Sequence, residues 1–446
     1  MAGRQTGPTT TLAMPRQDGP PRGLTASPPR RPAPRPLLLH LALWNLTMLS
    51  SFAALPHAKL GSLNWSEPLN QAGADLARDL VNVDPEQFFF AVAEAARGRL
   101  KAALDGIAGY RAHPYQRTLP EPPVIWRAGA ARLLDYGGDN GGATVLFVPS
   151  LVNRAYVLDL TLRRSLLRYL AAAGLRPLLL DWGSPGAREC RYALADYVEG
   201  PLAAALQVAN LVGGGPVGLA GYCLGGTLAV AAAQRYPDQV AALALLATPW
   251  DFHAPAGVPV VALRLLAALQ PTLSALLAGS PVLSVDLLQA LLLGLDPAST
   301  LRKFAAFSRL DPESDAASEF VALEDWLNDG VPLAGPAARD CLIGFYGRNA
   351  AQAGQWRVAG APVEPGRLAV PTLVAVPEED RVVPAPTALA LAQLIPGAVL
   401  LRPRAGHIGM VAGGKAETVL WRPLVDWLRA TLISQTPVSE RRAAMG

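Results

Sequence analysis

The stretch that decides the fold reads Gly215-Pro216-Val217-Gly218-Leu219-Ala220-Gly221-Tyr222-Cys223-Leu224-Gly225-Gly226. Its first half is a short apolar run bounded by glycine and proline, which is typical of a buried strand. A helix is predicted to follow, from Thr227 to about Gln234. Between the two lies Cys223, at a turn tight enough to require small neighbours. A strand, a sharp turn and a helix in this order predict a nucleophile elbow with cysteine in place of serine.

Other short apolar runs precede and follow this stretch, at residues 143–149, 176–181, 240–246, 368–376 and, more weakly, 398–401. Helical stretches rich in alanine and leucine lie between several of them. Strands that are apolar on both faces and alternate with helices predict a mostly parallel sheet covered by helices on both sides. With the elbow, this pattern predicts an α/β-hydrolase fold.

Two further residues fit the chain order of that fold, which is nucleophile, acid, histidine. Asp380 follows the fifth run and His407 follows the sixth. Both therefore fall at the carboxyl ends of strands, where an open α/β sheet builds its site. Glu378 and Glu379 are rivals for the acid, and each residue alone is also explained as an ordinary loop residue. Their joint placement favours a site of Cys223, Asp380 and His407.

Such a site also needs backbone N–H groups that stabilise an oxyanion. The amide of Leu224, at the start of the helix, is one candidate. The loop after the first run should supply the second, and we favour Leu151 or Val152. The helix N-terminus at Cys223 favours a thiolate there.

The chain divides into five regions by composition. Residues 1–36 hold six arginines and one acid, are rich in proline, and are predicted to be a disordered tail. Residues 37–135 are predicted to be mostly helical. The catalytic core is assigned to 136–249 and 346–432, interrupted by a helical lid or cap insertion at 250–345. Residues 433–446 are expected to form a flexible C-terminal tail.

Charge and cysteine content exclude several functions. The net charge is +4 over 446 residues, and the arginine-rich tail accounts for it, so the folded part is near neutral and gives no reason to expect a nucleic-acid partner. Three separated cysteines do not form a disulfide framework, which favours a reducing, cytoplasmic location. No metal-ligand spacing is present, and we expect neither a metal nor a cofactor.

The apolar run at 37–49 has two interpretations. Arginines precede it and small residues follow it, as in a signal or membrane anchor. His40, Asn45 and Thr47 interrupt it, however, and the leader before it is long and rich in proline. We favour a helix that packs on the protein body or on an apolar surface.

Beyond the elbow, several segments resemble those of the polyhydroxyalkanoate synthase family, over roughly Val145 to Leu428. They are Val148-Pro149-Ser150-Leu151-Val152-Asn153-Arg154-Ala155-Tyr156-Val157-Leu158-Asp159-Leu160, Asp181-Trp182-Gly183, Thr248-Pro249-Trp250-Asp251-Phe252, Glu324-Asp325-Trp326-Leu327-Asn328-Asp329-Gly330, Phe345-Tyr346-Gly347-Arg348-Asn349 and Gly406-His407-Ile408-Gly409-Met410-Val411. The sequence departs from the family at Ser150, Arg154 and Ala155, which leaves a different substrate open.

The resemblance implies an acyltransferase that polymerises 3-hydroxyacyl-CoA into polyester and releases CoA, with the CoA thioester as substrate rather than cofactor. It implies that Cys223 carries the acyl group, that His407 is its base, and that Asp380 is the third member. Either Asp380 or His407 would help to deprotonate the incoming hydroxyl. It also implies a polyester chain or granule surface as partner, a homodimer or a second synthase subunit, and a place in the cytoplasm or at the granule.

Two alternatives remain. The first is a cysteine hydrolase on the same fold, such as a thioesterase, a polyester depolymerase or a relative of the dienelactone hydrolases, which have a similar elbow but are shorter. The second is a non-enzymatic granule-surface protein on an inactive scaffold, against which the intact set of Cys223, Asp380 and His407 argues.

Overall fold

The computed structural model describes residues 31–433, except 139–141, 256–269, 273, 276 and 295. Its centre is an eight-stranded sheet with the strand order β1-β2-β4-β3-β5-β6-β7-β8. Only β2 runs against the other strands. The strands are β1 (Val124–Ala128), β2 (Ala131–Asp135), β3 (Thr144–Val148), β4 (Arg176–Asp181), β5 (Val217–Tyr222), β6 (Val240–Leu246), β7 (Thr372–Ala375) and β8 (Val399–Leu401).

Both faces of this sheet are buried. Along β3, Leu146 and Val148 belong to one hydrophobic cluster, whereas Val145 and Phe147 belong to the other. Because successive side chains of a strand point to opposite faces, the two clusters are the two sides of the sheet. Helices cover each side, which confirms the predicted α/β-hydrolase fold. The helices of this core are α4 (Leu166–Ala172), α5 (Leu194–Tyr197), α6 (Ala203–Gly213), α7 (Leu224–Arg235), α12 (Ala385–Leu394), α13 (Gly409–Ala412) and α14 (Arg422–Ile433).

The first two strands lie at the end of the region 37–135, which is predicted to be mostly helical. β1 and β2 form a hairpin that extends the sheet through antiparallel pairing of β2 with β4. Each strand has five residues and contains an arginine, so neither shows the continuous apolar run that marks a central strand. The turn between them contains Gly129 at a φ of +59°, a conformation that glycine adopts without strain.

Three helices precede the sheet: α1 (Leu37–Lys59), α2 (Asn70–Asp79) and α3 (Pro85–Ala112). As predicted, α3 begins with a proline, and the Asp84 carboxylate caps it by accepting from the amides of Glu86 and Gln87 at 2.9 and 3.1 Å. By length and composition α1 could cross a membrane, and only 11% of its most apolar window is buried. Trp44 nevertheless packs into the protein body, with 1% of its surface exposed.

The structure describes the last six residues of the predicted N-terminal tail, 31–36. Residues 1–30 lie outside the described residues, but Arg31 and Arg35 form ion pairs with Asp325 and Asp286 of the cap. Charge composition alone did not reveal these acidic partners, which lie about 250 or more positions away in sequence. Of the predicted C-terminal tail, residues 434–446 also lie outside the described residues.

Between β6 and β7 the chain leaves the sheet and forms the cap. The predicted insertion at 250–345 falls within this excursion, and residues 256–269, 273, 276 and 295 of it are outside the described residues. Two short antiparallel ribbons accompany the helices, Val282–Leu283 with Leu333–Ala334 and Arg357–Val358 with Ala361–Pro362. The described cap helices are α8 (Val285–Leu293), α9 (Ser299–Phe307), α10 (Asp315–Asn328), α11 (Gly335–Arg339) and a π-helical segment, Asp340–Gly347.

Candidate active site

Cys223 lies between the last residue of β5 and the first residue of α7, as the sequence predicts. Its φ is +55° and its ψ is −129°, a conformation that costs a non-glycine residue about 1–3 kcal/mol. The amide of Cys223 donates to the carbonyl of Leu246, at the end of β6, over 2.9 Å. The neighbouring strand therefore holds the elbow in its strained conformation, and the thiol stands at the carboxyl edge of the sheet.

The glycines beside Cys223 are required by close packing of the backbone. A Cβ added at Gly221 would lie 2.4 Å from the Cα of Gly226. A Cβ at Gly225 would lie 2.2 Å from the carbonyl oxygen of Val148. The turn thus has no space for side chains on its inner side, which is the physical basis of the predicted small residues at these positions.

Asp380 and His407 lie beside each other, 27 positions apart in sequence. The Nδ1 of His407 is 2.7 Å from one carboxylate oxygen of Asp380. The other oxygen accepts from the amides of Val382 and Val383, at 2.8 Å each. Both side chains are buried. Because Asp380 is held by two amides, it fixes the orientation of the imidazole and leaves its Nε2 available to a second partner.

The group that faces His407 from the elbow is the Cys223 side chain, which contributes to the shifted pKa of His407. Burial alone would lower the pKa of His407. The negative charge of the Cys223 thiolate and the bond to Asp380 outweigh burial and raise the pKa to about 10. The protonated form of His407 is therefore favoured at neutral pH. Glu378 and Glu379, the predicted rivals of Asp380, are both exposed.

The three backbone amides predicted as oxyanion donors differ in whether they already have a hydrogen-bond acceptor. Leu224 is the first residue of α7, so its amide has no acceptor within the helix. The amide of Val152 donates to the Ser150 hydroxyl over 3.3 Å, whereas that of Leu151 has no acceptor among the described residues. The geometry therefore favours Leu151 over Val152 as partner of Leu224. The indole N–H of Trp182 donates to the Pro149 carbonyl at 3.0 Å, which helps to hold this loop in place.

The cap adds two side chains that the site prediction did not include. Cys341 and Tyr346 lie on the π-helical segment, and both pack, like Cys223, against the same hydrophobic cluster of the core. Burial raises the pKa of each well above its usual value, which keeps both side chains uncharged. The sequence signal for Tyr346 was the segment 345–349 of the family resemblance. Nothing in the sequence indicated Cys341, because its place depends on how the cap packs.

Segments noted for the resemblance meet in pairs around the site. The amide group of Asn349 donates to the Asp251 carboxylate at 2.8 Å and accepts from the amide of Phe252 at 3.0 Å. Phe252 packs edge-on against Tyr346, with ring centroids 4.9 Å apart. Another aromatic residue, Tyr222, lies against the ring of His407 at 5.1 Å. These contacts hold the rings of Tyr346 and His407 in place.

The described residues contain no group of three or more His, Cys, Asp or Glu side chains that could hold a metal ion. The arrangement offers a cysteine nucleophile, a histidine that can give or take a proton, and the backbone amides of Leu224 and Leu151.

Comparison with known proteins gives a consistent picture. The family model described as "alpha/beta hydrolase fold" matches residues 144–413. The poly(3-hydroxyalkanoate) polymerase subunit of Haloferax mediterranei is 28% identical over 332 residues, which cover 71% of this chain and 66% of that protein. The subunit of Allochromatium vinosum is 29% identical over 290 residues, 64% of this chain and 80% of that protein. The subunit of Cupriavidus necator is 30% identical over 288 residues, and the match spans 46% of it.

Proposed function

This chain belongs to the alpha/beta hydrolase fold family, and from that premise we propose that it is an acyltransferase of the polyhydroxyalkanoate synthase type. It would polymerise 3-hydroxyacyl-CoA into polyester through a covalent acyl-cysteine. One observation carries the proposal. The residue at the elbow is a cysteine, and the buried histidine whose pKa it raises is held by Asp380, in a chain similar over most of its length to poly(3-hydroxyalkanoate) polymerase subunits.

In the first half-reaction, the Cys223 thiolate attacks the thioester carbonyl of the substrate. The amides of Leu224 and Leu151 stabilise the oxyanion that forms. The carbon–sulfur bond to CoA then breaks, and the His407 imidazolium gives its proton to the departing CoA thiolate. The products are free CoA and an acyl-Cys223 thioester, with His407 neutral.

In the second half-reaction, His407 takes the proton of the 3-hydroxyl group of another acyl unit. The oxygen of that hydroxyl attacks the acyl-Cys223 carbonyl. An ester bond forms, the carbon–sulfur bond breaks, and the Cys223 thiolate is regenerated beside the imidazolium. Both oxygens of Asp380 are already engaged, one by the amides of Val382 and Val383 and the other by His407. We therefore assign the base function to His407, and to Asp380 the orientation of the imidazole.

The choice of cysteine suits transfer rather than hydrolysis. Exchange of an acyl group between two thiols is nearly isoenergetic, so the acyl-cysteine stays reactive toward an alcohol. Water must then be kept from the thioester. The uncharged, largely enclosed side chains of Tyr346 and Cys341 line the cap side of Cys223 and serve this purpose.

The test combines two measurements on purified protein given 3-hydroxybutyryl-CoA and other 3-hydroxyacyl-CoA substrates. CoA release is followed with a thiol reagent, and insoluble polyester is collected from the same reaction. The proposal expects CoA and polymer in proportion. Stoichiometric free 3-hydroxy acid without polymer would instead identify the hydrolase alternative.

Partner and location follow from the same proposal. The similar proteins are called subunits, and we propose that this chain acts as a homodimer or with a second synthase subunit, in the cytoplasm at the surface of its polymer. Light scattering of the purified chain measures its oligomeric state. Fractionation of polymer-producing cells measures its location, and recovery of the chain with the membrane fraction alone would contradict a place at the polymer surface.

A further inference from the structure

The helix α1 exposes a stripe of leucines on the side that faces away from the protein body. Leu38, Leu49 and Leu60 follow one another at intervals of 11 residues, which is about three helical turns, so they lie in one line. Leu46 lies beside this line, and all four side chains are between 62% and 82% exposed. The leucine stripe, Leu38, Leu46, Leu49 and Leu60, is about 33 Å long. Apolar side chains aligned over this length mark a contact surface.

The opposite side of α1 is held by the protein. His40 and Trp44, one helical turn apart, are both buried. Trp44 packs in one cluster with Tyr110 of α3 and Phe304 of α9. At 3.6 residues per turn, these two residues lie on the other side of the helix from the leucine stripe. The helix can therefore lie along an apolar surface without leaving the protein body.

The polar residues within α1 do not prevent such a contact. The side chain of Asn45 donates to the carbonyl of Leu41, and that of Thr47 to the carbonyl of Leu43, at 2.8 Å each. The two serines that follow in the helix also donate to one of its carbonyls. Because these donors are satisfied inside the helix, they do not need water as a partner, and hydrocarbon can replace water around them.

The charge around α1 identifies the kind of surface. No acid occurs between Asp18 and Glu67, whereas residues 1–30 hold four arginines and Lys59 ends the helix. Basic residues beside an exposed apolar helix are the pattern of a helix that binds anionic lipid, because they bind the headgroups while leucine enters the acyl boundary. A neutral polymer offers no counter-charge. A second copy of the chain, related by two-fold symmetry, would bring the same positive charge against itself.

We propose that α1 docks the protein on an anionic lipid surface. The leucine stripe enters the acyl boundary, and the basic residues 1–30 bind the headgroups. The helix lies in the plane of the surface rather than across the bilayer, because His40 and Trp44 keep its other side on the protein. The inference concerns the N-terminal region and does not depend on the reaction proposed at Cys223.

The experiment is flotation of the purified full-length protein with two kinds of vesicle, phosphatidylcholine alone and an equimolar mixture of phosphatidylcholine and phosphatidylglycerol. We expect binding to the mixed vesicles to be tighter by about tenfold or more. Added salt should reduce this preference, because it screens the surface charges. Removal of residues 1–30 should abolish the preference and leave only the weaker binding to phosphatidylcholine.

A pair of double variants tests the leucine stripe. Leu38→Gln combined with Leu49→Gln should weaken binding to the mixed vesicles by about tenfold, since two leucines no longer leave water. Leu162→Gln combined with Leu211→Gln is the matched control. These two leucines lie outside α1 and are 77% and 82% exposed, against 82% and 64% for Leu38 and Leu49. The control should bind within about twofold of the wild type, and circular dichroism should show both variants folded, because all four side chains are exposed.

Three results would overturn the proposal. The first is a wild-type protein that floats with neither kind of vesicle, and the second is equal affinity for both kinds. The third is an equal loss of binding in the two double variants. If the wild type binds no vesicles and light scattering shows a dimer that only the α1 variant disrupts, the leucine stripe covers a second copy of the chain instead.

Discussion

The Nε of Arg154 lies 3.0 Å from a carboxylate oxygen of Asp329, so the loop after β3 is joined to the end of cap helix α10. The Tyr156 hydroxyl donates to the other oxygen of Asp329 at 3.3 Å, and the indole of Trp326 donates to the Arg154 carbonyl at 2.7 Å. The same loop carries the amide of Leu151. We infer that the cap holds one of the oxyanion donors in place.

The first prediction concerns this junction. Arg154→Ala and Asp329→Ala should each lower kcat by about tenfold, because a displaced loop misplaces the Leu151 amide. Stability should change by less than about 1 kcal/mol, since the pair is partly exposed. Steady-state kinetics and thermal unfolding measure the two effects. Arg163→Ala, which removes an exposed ion pair with Asp315, is the control, and an equal kcat loss there would contradict a role for the junction.

The second prediction separates Asp380 from its sequence neighbours. Asp380→Asn should lower kcat by about a hundredfold or more, because an amide can present an N–H to His407 and turn the imidazole away from Cys223. Glu379→Gln should be nearly neutral, as Glu379 is exposed. CoA-release assays measure kcat for both variants. A comparable loss of kcat in Glu379→Gln would contradict the assignment of Asp380 as the residue that orients His407.

The third prediction is a pH dependence. The departing CoA needs the proton of His407, and the pKa of that group is raised to about 10 in the folded protein. A raised pKa means that the proton is present below pH 10 and is lost as the pH rises through it. Single-turnover CoA release should therefore stay level from neutral pH and fall only near pH 10, after subtraction of the uncatalysed rate. A decline centred near the usual histidine value of about 6.5 would contradict the thiolate–imidazolium assignment.

The fourth prediction concerns the N-terminus. Removal of residues 1–30 should leave specific activity unchanged, because this segment is too poor in apolar residues to fold alone. Trp44→Ala should destabilise the N-terminal helices by about 3–5 kcal/mol, since it leaves a large cavity beside Tyr110 and Phe304. Thermal unfolding followed by circular dichroism measures the change. Loss of activity in the truncated protein while its folded structure persists would refute the first expectation.

The centre of the fold could be predicted because its strands are buried on both faces. In β3, β4, β5 and β6 nearly every residue is apolar. Cys223 and Asp380 could be predicted because each follows a buried run, whereas His407 follows β8, an edge strand with Val399 and Leu400 exposed, and was placed by the chain order of the fold. When site residues follow such buried strands, the local apolar runs are enough to locate them in the sequence.

Features that depend on contacts between distant segments could not be predicted. β1 is the edge strand, where polar residues are tolerated, and Arg132 of β2 pairs with Asp181 of β4, so the apolar pattern is lost in both strands. The ion pair between Arg31 and Asp325 forms only because the cap packs on the N-terminal segment. The packing of the cap likewise brings Cys341 to the same hydrophobic cluster as Cys223. The spacing of residues along the sequence does not indicate these long-range contacts.

The most direct test of the account is the intact mass of the protein after acid quenching during turnover of a 3-hydroxyacyl-CoA. The account predicts a ladder of repeating 3-hydroxyacyl units on the wild-type protein, located at Cys223 by peptide mapping. Cys223→Ala should be folded, unmodified and inactive, because removal of a small side chain at the turn leaves no large cavity. A single acyl addition that disappears as free acid, without a ladder or polymer, would contradict polymerisation, and acylation of the Cys223→Ala variant would contradict the cysteine mechanism itself.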